Sequence, residues 1–182
     1  NKAKIKKITF IGDKIFKDGK LKGIIVSEEY KFWKFISGRK FLSEDVIQFD
    51  KRLLKNFYLN KGFYNVEINS SFAKLVNDDE FELIYNINPK KKIYFNNLKI
   101  NLPDDFDKTN FEELTTFLIS LKGKPYSLNS VEKILNNIDN ITIQEEYKSV
   151  KATISENINK DKLDINFNIQ ETDKFFVERI NI

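Results

Sequence analysis

The sequence predicts an α+β fold built as a tandem. Two complete units follow the order strand-helix-helix-strand-strand, and a third begins before the chain stops. Each complete unit is expected to form a three-stranded sheet covered on one face by two helices. Three observations predict this. An apolar triplet, Ile5, Ile8 and Phe10, recurs as Phe95, Leu98 and Ile100 and again as Val177, Ile180 and Ile182. From Ile5 to Phe95 is 90 residues, and from Phe95 to Val177 is 82. The first two triplets each open the same five elements, which chance recurrence of a triplet does not explain. Finally, 182 residues at 41% hydrophobic can fill one ordinary core or two small ones.

The elements follow in chain order. The first triplet stands among Lys4, Lys6, Lys7 and Thr9 and reads as a strand that Gly12-Asp13 stops. A short helix is expected from Asp18 to Ile25, with Asp18 at or near its cap. An aromatic loop, Tyr30 to Ile36, ends at Ser37-Gly38. A longer helix begins after its N-cap Ser43, with Glu44 and Asp45 in the first turn, where the helix dipole favours negative charge. Val46, Phe49, Leu53 and Phe57 form its expected apolar stripe. Gly62 closes it at C′, where positive φ is cheap only for glycine. Tyr64, Val66, Ile68 and Phe72 then alternate with polar residues as a second strand, and Asn77-Asp78-Asp79 turns the chain. Phe81, Leu83, Tyr85 and Ile87 make the third strand, which Pro89 ends.

The second unit repeats this plan. A short helix is expected from Thr109, whose Thr109-Asn110-Phe111-Glu112 fits a capping box. After the loop Lys122 to Pro125, a long helix carries Val131, Ile134, Leu135, Ile138 and Ile141. Val150, Ala152 and Ile154 alternate as a strand, Asn159-Lys160-Asp161 turns, and Leu163, Ile165, Phe167 and Ile169 close the unit. The expected divisions are residues 1–90, residues 91–173, and residues 174–182 as the first strand of a truncated third unit.

Composition excludes several functions. The chain has no Cys and no His, which removes thiol nucleophiles, disulfides, Ser-His-Asp triads and Cys/His metal sites. It also lacks Met, even at position 1, and reads as an excised or processed segment. No apolar run is long enough to span a bilayer, and no signal-peptide pattern opens the chain. The net charge of +4 permits a nucleic-acid partner without demanding one, and an AT-rich gene explains the wealth of Lys, Asn, Ile and Phe.

Short motifs fail on inspection. With Asp105 at position one of a calcium loop, the required glycine would be Asn110 and the closing glutamate Thr116. Lys61 to Ile68 resembles an RNA-recognition box, but Tyr64 replaces a small residue, and Asn65 and Ile68 replace the stacking aromatics. Gly19 to Gly23 lacks the Gly-Lys-Ser/Thr ending of a phosphate loop. No carboxylate pair suggests acid/base chemistry. No enzyme, metal or cofactor is expected. Phe32, Trp33 and Phe35 are either an exposed docking patch or core that closes over the sheet and helix ends.

Three stretches carry a family resemblance. They are Ile8 to Asp13; Phe32 to Phe35 continuing through Phe49-Asp50, Leu53-Leu54 and Phe57-Tyr58-Leu59 to Lys61-Gly62-Phe63-Tyr64; and Phe175 to Ile182. The units resemble POTRA (polypeptide-transport-associated) domains, above all those of the outer-membrane protein assembly factors of Gram-negative bacteria. The aromatic loop makes the first unit similar to the third POTRA of such a protein, the second to the fourth, and the tail to the start of the fifth. Two-partner secretion pores and the translocation and assembly module share the domain. A cell-division protein has it in single copy. The second unit departs from the pattern, with Leu102 in place of Gly12 and Glu146-Tyr147-Lys148 in place of Lys61-Gly62-Phe63.

The resemblance implies a central third strand and a second strand at the sheet edge. The edge residues that would bind an extended partner are Asn65, Val66, Glu67, Ile68 and Asn69 in the first unit and Lys151, Thr153 and Ser155 in the second. It further implies periplasmic residence, a C-terminal β-barrel outside this stretch, unfolded outer-membrane β-barrel proteins as clients, and partner lipoproteins of the assembly complex. The rival readings are a basic nucleic-acid-binding array, which needs Lys clustered on one face, and a rigid spacer without clients.

Overall fold

The structure, a computed structural model, describes residues 3–33, 38–147 and 150–172. The proposed third-unit strand at 174–182 and Phe35 lie outside these residues. The chain divides into two compact units, Asn1–Lys92 and Ile93–Ile182.

In the first unit, β1 (Lys4–Gly12), α1 (Asp18–Lys22), α2 (Glu44–Leu59), β2 (Glu67–Lys74) and β3 (Glu80–Asn88) follow in order. The sheet order is β1-β3-β2, with β1 parallel and β2 antiparallel to the central β3. The second unit repeats this with β4 (Tyr94–Asn101), α3 (Glu112–Ser120), α4 (Leu128–Gln144), β5 (Val150–Asn159) and β6 (Lys162–Glu171), in the order β4-β6-β5.

The recurring apolar triplet has a structural cause. Ile5, Ile8 and Phe10 sit opposite Phe81, Leu83 and Tyr85, and the register slips between Ile5 and Lys7. Phe95, Leu98 and Ile100 sit opposite Leu163, Ile165 and Phe167, with a slip between Phe95 and Leu98. One extra residue in the strand keeps side chains three apart on one face, where plain alternation would separate them. Ile5, Ile8, Phe10, Phe95 and Leu98 are all buried. Across from them, Leu83, Tyr85, Ile87, Leu163, Ile165, Phe167 and Ile169 are buried from the central strands.

The long helices begin alike. Ser43 and Ser127 precede them in nearly identical extended conformations, φ −145° and −144°. These serines are 84 residues apart, and the same spacing relates the buried face of α2, Ile47, Asp50, Leu54 and Tyr58, to that of α4, Val131, Ile134, Ile138 and Thr142. The expected α2 stripe is therefore displaced by one residue. Phe49 is exposed, and Asp50 takes the core position. Asp50 is fully buried because its carboxylate is satisfied. It accepts hydrogen bonds from the Val26 N–H (2.7 Å), the Ser27 N–H (3.3 Å) and the Tyr85 hydroxyl (2.7 Å). Burial, then Asp50 itself, raises the Tyr85 hydroxyl far above the usual phenol range, so it stays protonated and donates.

Other boundaries also differ from expectation. α1 ends at Lys22 rather than Ile25, with Gly23 as its C-cap. Thr109 does not cap a helix. Asp107 caps a 3₁₀ turn over Lys108–Phe111 by accepting from the Thr109 N–H, and α3 starts only at Glu112. Aspartate wins because its charged oxygen is the stronger acceptor for the free N–H groups. β2 starts at Glu67, so Tyr64 and Val66 precede it. Phe72, placed on the apolar face from its alternation, is 60% exposed.

Candidate strand-binding edges

A three-stranded sheet has two outer edges, and here they differ. The β1 edge is covered by its own chain. Ile5 C=O accepts from Tyr30 N–H (2.6 Å), Ala3 C=O from Leu42 N–H (2.9 Å), and Ile8 N–H donates to the Glu29 carboxylate (3.1 Å). The β4 edge is covered in the same way. Phe95 N–H donates to Lys124 C=O (2.9 Å), Gly123 N–H to Phe95 C=O (2.7 Å), and Tyr126 N–H to Ile93 C=O (2.9 Å). The loop before each long helix thus occupies one edge of its sheet.

β2 and β5 are strand-paired on one side only, to β3 and β6. Leu75 N–H donates to Glu80 C=O (2.9 Å), one step beyond the β2–β3 ladder. In an antiparallel ladder, bonded pairs alternate with pairs whose N–H and C=O point away. Counting back from Leu75, the backbone groups of Ile68, Ser70 and Phe72 point outward from the sheet. Among the described residues, none of them has a further backbone partner.

A groove of about 450 Å³ runs beside this edge. One wall is Val66, Glu67, Ile68 and Asn69; the other is Gln48, Lys51, Arg52 and Lys55 of α2. These four helix residues recur at i, i+3, i+4 and i+7 and share one face. Glu67 is engaged by Lys90 Nζ (3.0 Å).

The expected edge residues are distributed as follows. Glu67, Ile68 and Asn69 lie in β2, opposite Asn88, Ile87 and Asn86. Asn65 and Val66 precede the strand, and Val66 is buried core, 6% exposed, so neither is an edge-strand residue. The turn after α2 brings the chain into the sheet at Glu67, three residues later than alternation suggests. Lys151, Thr153 and Ser155 lie in β5, opposite Gln170, Asn168 and Asn166. Ser155 Oγ accepts from Asn168 Nδ2 (3.3 Å). Glu67 and Asn69 of β2 correspond to Lys151 and Thr153 of β5, 84 residues on. Phe32 and Trp33 are exposed at 72% and 59% and pack edge to face at 4.7 Å, so these two are not core.

Phe72 and the α2 wall are not among the edge residues expected from the sequence. The wall carried a signal: three cations spaced along one face of a helix whose remaining face is apolar. Among the described residues, no cluster of His, Cys, Asp or Glu could hold a metal. No helix among the described residues is long and apolar enough to cross a membrane.

Comparison with known proteins agrees with this geometry. A family model described as "POTRA: Surface antigen variable number repeat" matches residues 3–90. The outer membrane protein assembly factor BamA of Buchnera aphidicola subsp. Acyrthosiphon pisum (strain APS) is 24% identical over 181 residues, covering 97% of this chain. This chain spans only 29% of that relative. The crystal structure of POTRA3-5 of Haemophilus influenzae BamA superimposes with a TM-score of 0.67 at 15% identity, covering 93% of this chain and 66% of that one. POTRA1-2 of Omp85 from Anabaena gives a TM-score of 0.57 at 10% identity, over 96% and 99% of the two chains. The family model thus identifies the first unit as a POTRA domain, the second unit repeats its fold, and the tandem is similar over nearly its whole length to the assembly factor BamA.

Proposed function

We propose that this tandem is a periplasmic segment of an outer-membrane β-barrel assembly factor, and that it holds extended segments of unfolded outer-membrane proteins by strand addition at β2 and β5. Partner lipoproteins of the assembly complex and a C-terminal β-barrel of the same protein complete the machinery. The role is binding and handover, not catalysis.

One observation carries the reading. In each unit the first-strand edge is closed by the chain itself, and the second-strand edge is strand-paired on one side only. An added strand bonds through its backbone, which every sequence has, so affinity does not depend on one client sequence. Each such bond contributes about 0.5–1.5 kcal/mol net, so a few of them hold a client weakly enough to pass it on.

The test is titration of the tandem with ten-residue peptides taken from β-barrel strands, followed by amide chemical shifts. Shifts are expected along Glu67–Phe72 and Val150–Ser155. Ser70→Pro removes an outward N–H and sets a ring in the path of an incoming strand, with little cost to an edge strand. It is expected to abolish the β2 shifts and leave those of β5. Shifts confined to Phe32 and Trp33 and unaffected by Ser70→Pro would instead make that aromatic pair the docking patch. No shifts with any peptide would leave a plain spacer.

A further inference from the structure

The two edges are not electrically alike. We infer that the β2 groove of the first unit selects extended segments carrying carboxylate side chains at alternate positions, and that the β5 edge of the second unit does not. This deepens the strand-addition reading and rests on it.

The α2 wall presents Lys51, Arg52 and Lys55 to the groove. None of the three pairs with a carboxylate among the described residues. Arg52 instead lies over the Phe49 ring, 5.3 Å from its centre. The one acid lining the groove, Glu67, is already engaged by Lys90. The groove therefore carries three uncompensated positive charges beside an open strand edge. At the corresponding α4 positions, 84 residues on, stand Glu132, Leu135, Asn136 and Asp139. The same topology thus carries cations in one unit and acids in the other.

Spacing makes the charge selective for a strand. A strand added beside β2 lies about 4.8 Å out and turns alternate side chains toward the helix-covered face. Those side chains are about 6.8 Å apart along the strand, while Lys51 and Lys55, one helical turn apart, advance about 6 Å. Carboxylates at i and i+2 of the guest match that separation. Side chains on the guest's other face meet the open side of the sheet and are unconstrained.

The test uses three ten-residue peptides of alternating Thr and Val that differ only at positions 4 and 6, which are both Glu, both Gln or both Lys. Each is titrated into the tandem at low and high salt and read from the amides of β2 and β5. The Glu peptide is expected to bind β2 about 5- to 10-fold more tightly than the Gln peptide, as two partly shielded ion pairs would give. High salt should erase the difference. The β5 edge should show no preference for Glu. Lys51→Gln with Arg52→Gln and Lys55→Gln should remove the preference while the Gln peptide still binds, which separates lost charge from lost fold.

If all three peptides bind β2 equally, the charge selection is wrong and strand addition stands. If none shifts β2 or β5, strand addition fails and the inference with it. A single-stranded DNA ten-mer that shifts the α2 wall more strongly than the Glu peptide would make the cations a nucleic-acid site and overturn the inference.

Discussion

Asp50 is the residue on which the first unit's interior turns. A carboxylate without exposure survives only when its oxygens are occupied, and three donors from two separate parts of the chain occupy them. The second unit solves the same position differently. Ile134 stands where Asp50 does, and Phe167, opposite Ile100, stands where Tyr85 stands opposite Phe10. Asp50→Ala should therefore destabilise the first unit by about 2–4 kcal/mol, since it strands Tyr85 OH and two backbone N–H groups. Tyr85→Phe alone removes one donor and should cost less. In a double-mutant cycle with Asp50→Asn, a coupling of about 0.5–3 kcal/mol is expected from urea midpoints, because the two groups share one bond. Strict additivity would show that the hydroxyl and carboxylate do not act together. Asp50 also explains the misplaced stripe. A charged residue reads as solvent-facing, and its partners, Val26, Ser27 and Tyr85, lie far away in sequence. No local pattern shows that such an aspartate is buried.

At the scale of elements, both long helices end in one device with different residues. Gly62 N–H donates to Leu59 C=O and Phe63 N–H to Tyr58 C=O, the two bonds of a Schellman cap with Gly62 at C′. Glu146 N–H donates to Ile143 C=O and Tyr147 N–H to Thr142 C=O, the same pair 84 residues on. Gly62 has φ +94° and Glu146 φ +55°, so Glu146, and not Tyr147 as the sequence comparison of the two units places it, holds the left-handed position that glycine holds in the first unit. That conformation costs an L-residue roughly 1 kcal/mol relative to glycine. Glu146→Gly should stabilise the second unit by up to about 1 kcal/mol, and Gly62→Val should destabilise the first by about 1 kcal/mol or more. Opposite signs in the two denaturant midpoints are the signature; equal signs would break the equivalence. The strands were legible because burial alternates along them, and the glycine cap because its residue type is diagnostic. The second cap was legible only as a missing glycine. The groove wall was not legible, since the sequence does not say that one α2 face lies beside an edge strand.

For the whole molecule, the question is whether the two units are cooperative partners or neighbours on one chain. Each has its own sheet, its own pair of helices and its own buried set. Ile5, Leu54, Tyr58, Leu83 and Ile87 fill the first, and Phe95, Phe111, Ile134, Leu163 and Phe167 the second. A unit of about 90 residues is large enough to fold alone, although it buries a smaller share of its surface than a longer chain does. Fragments ending at Lys92 and starting at Ile93 should therefore each unfold cooperatively in urea. The dependence of stability on urea scales with the surface exposed on unfolding. If the units are independent, the intact tandem should show two transitions, each with its fragment's slope. A single transition whose slope equals the sum of the two would mean that the units unfold as one. Fragments without dispersed amide spectra would show that the division at Lys92 cuts through a single folding unit. Independence also bears on the two edges. Strand addition at β2 should then raise the midpoint of the first transition alone, in proportion to occupancy, because a ligand stabilises only the unit that binds it. Titrating the glutamate peptide while following both transitions measures this directly. The second midpoint should rise less, because β5 takes the peptide without the added charge pairing. Equal shifts in both would mean either that β5 binds the peptide as tightly as β2 or that the units are coupled, and the Ser70→Pro variant, which closes only β2, separates those outcomes.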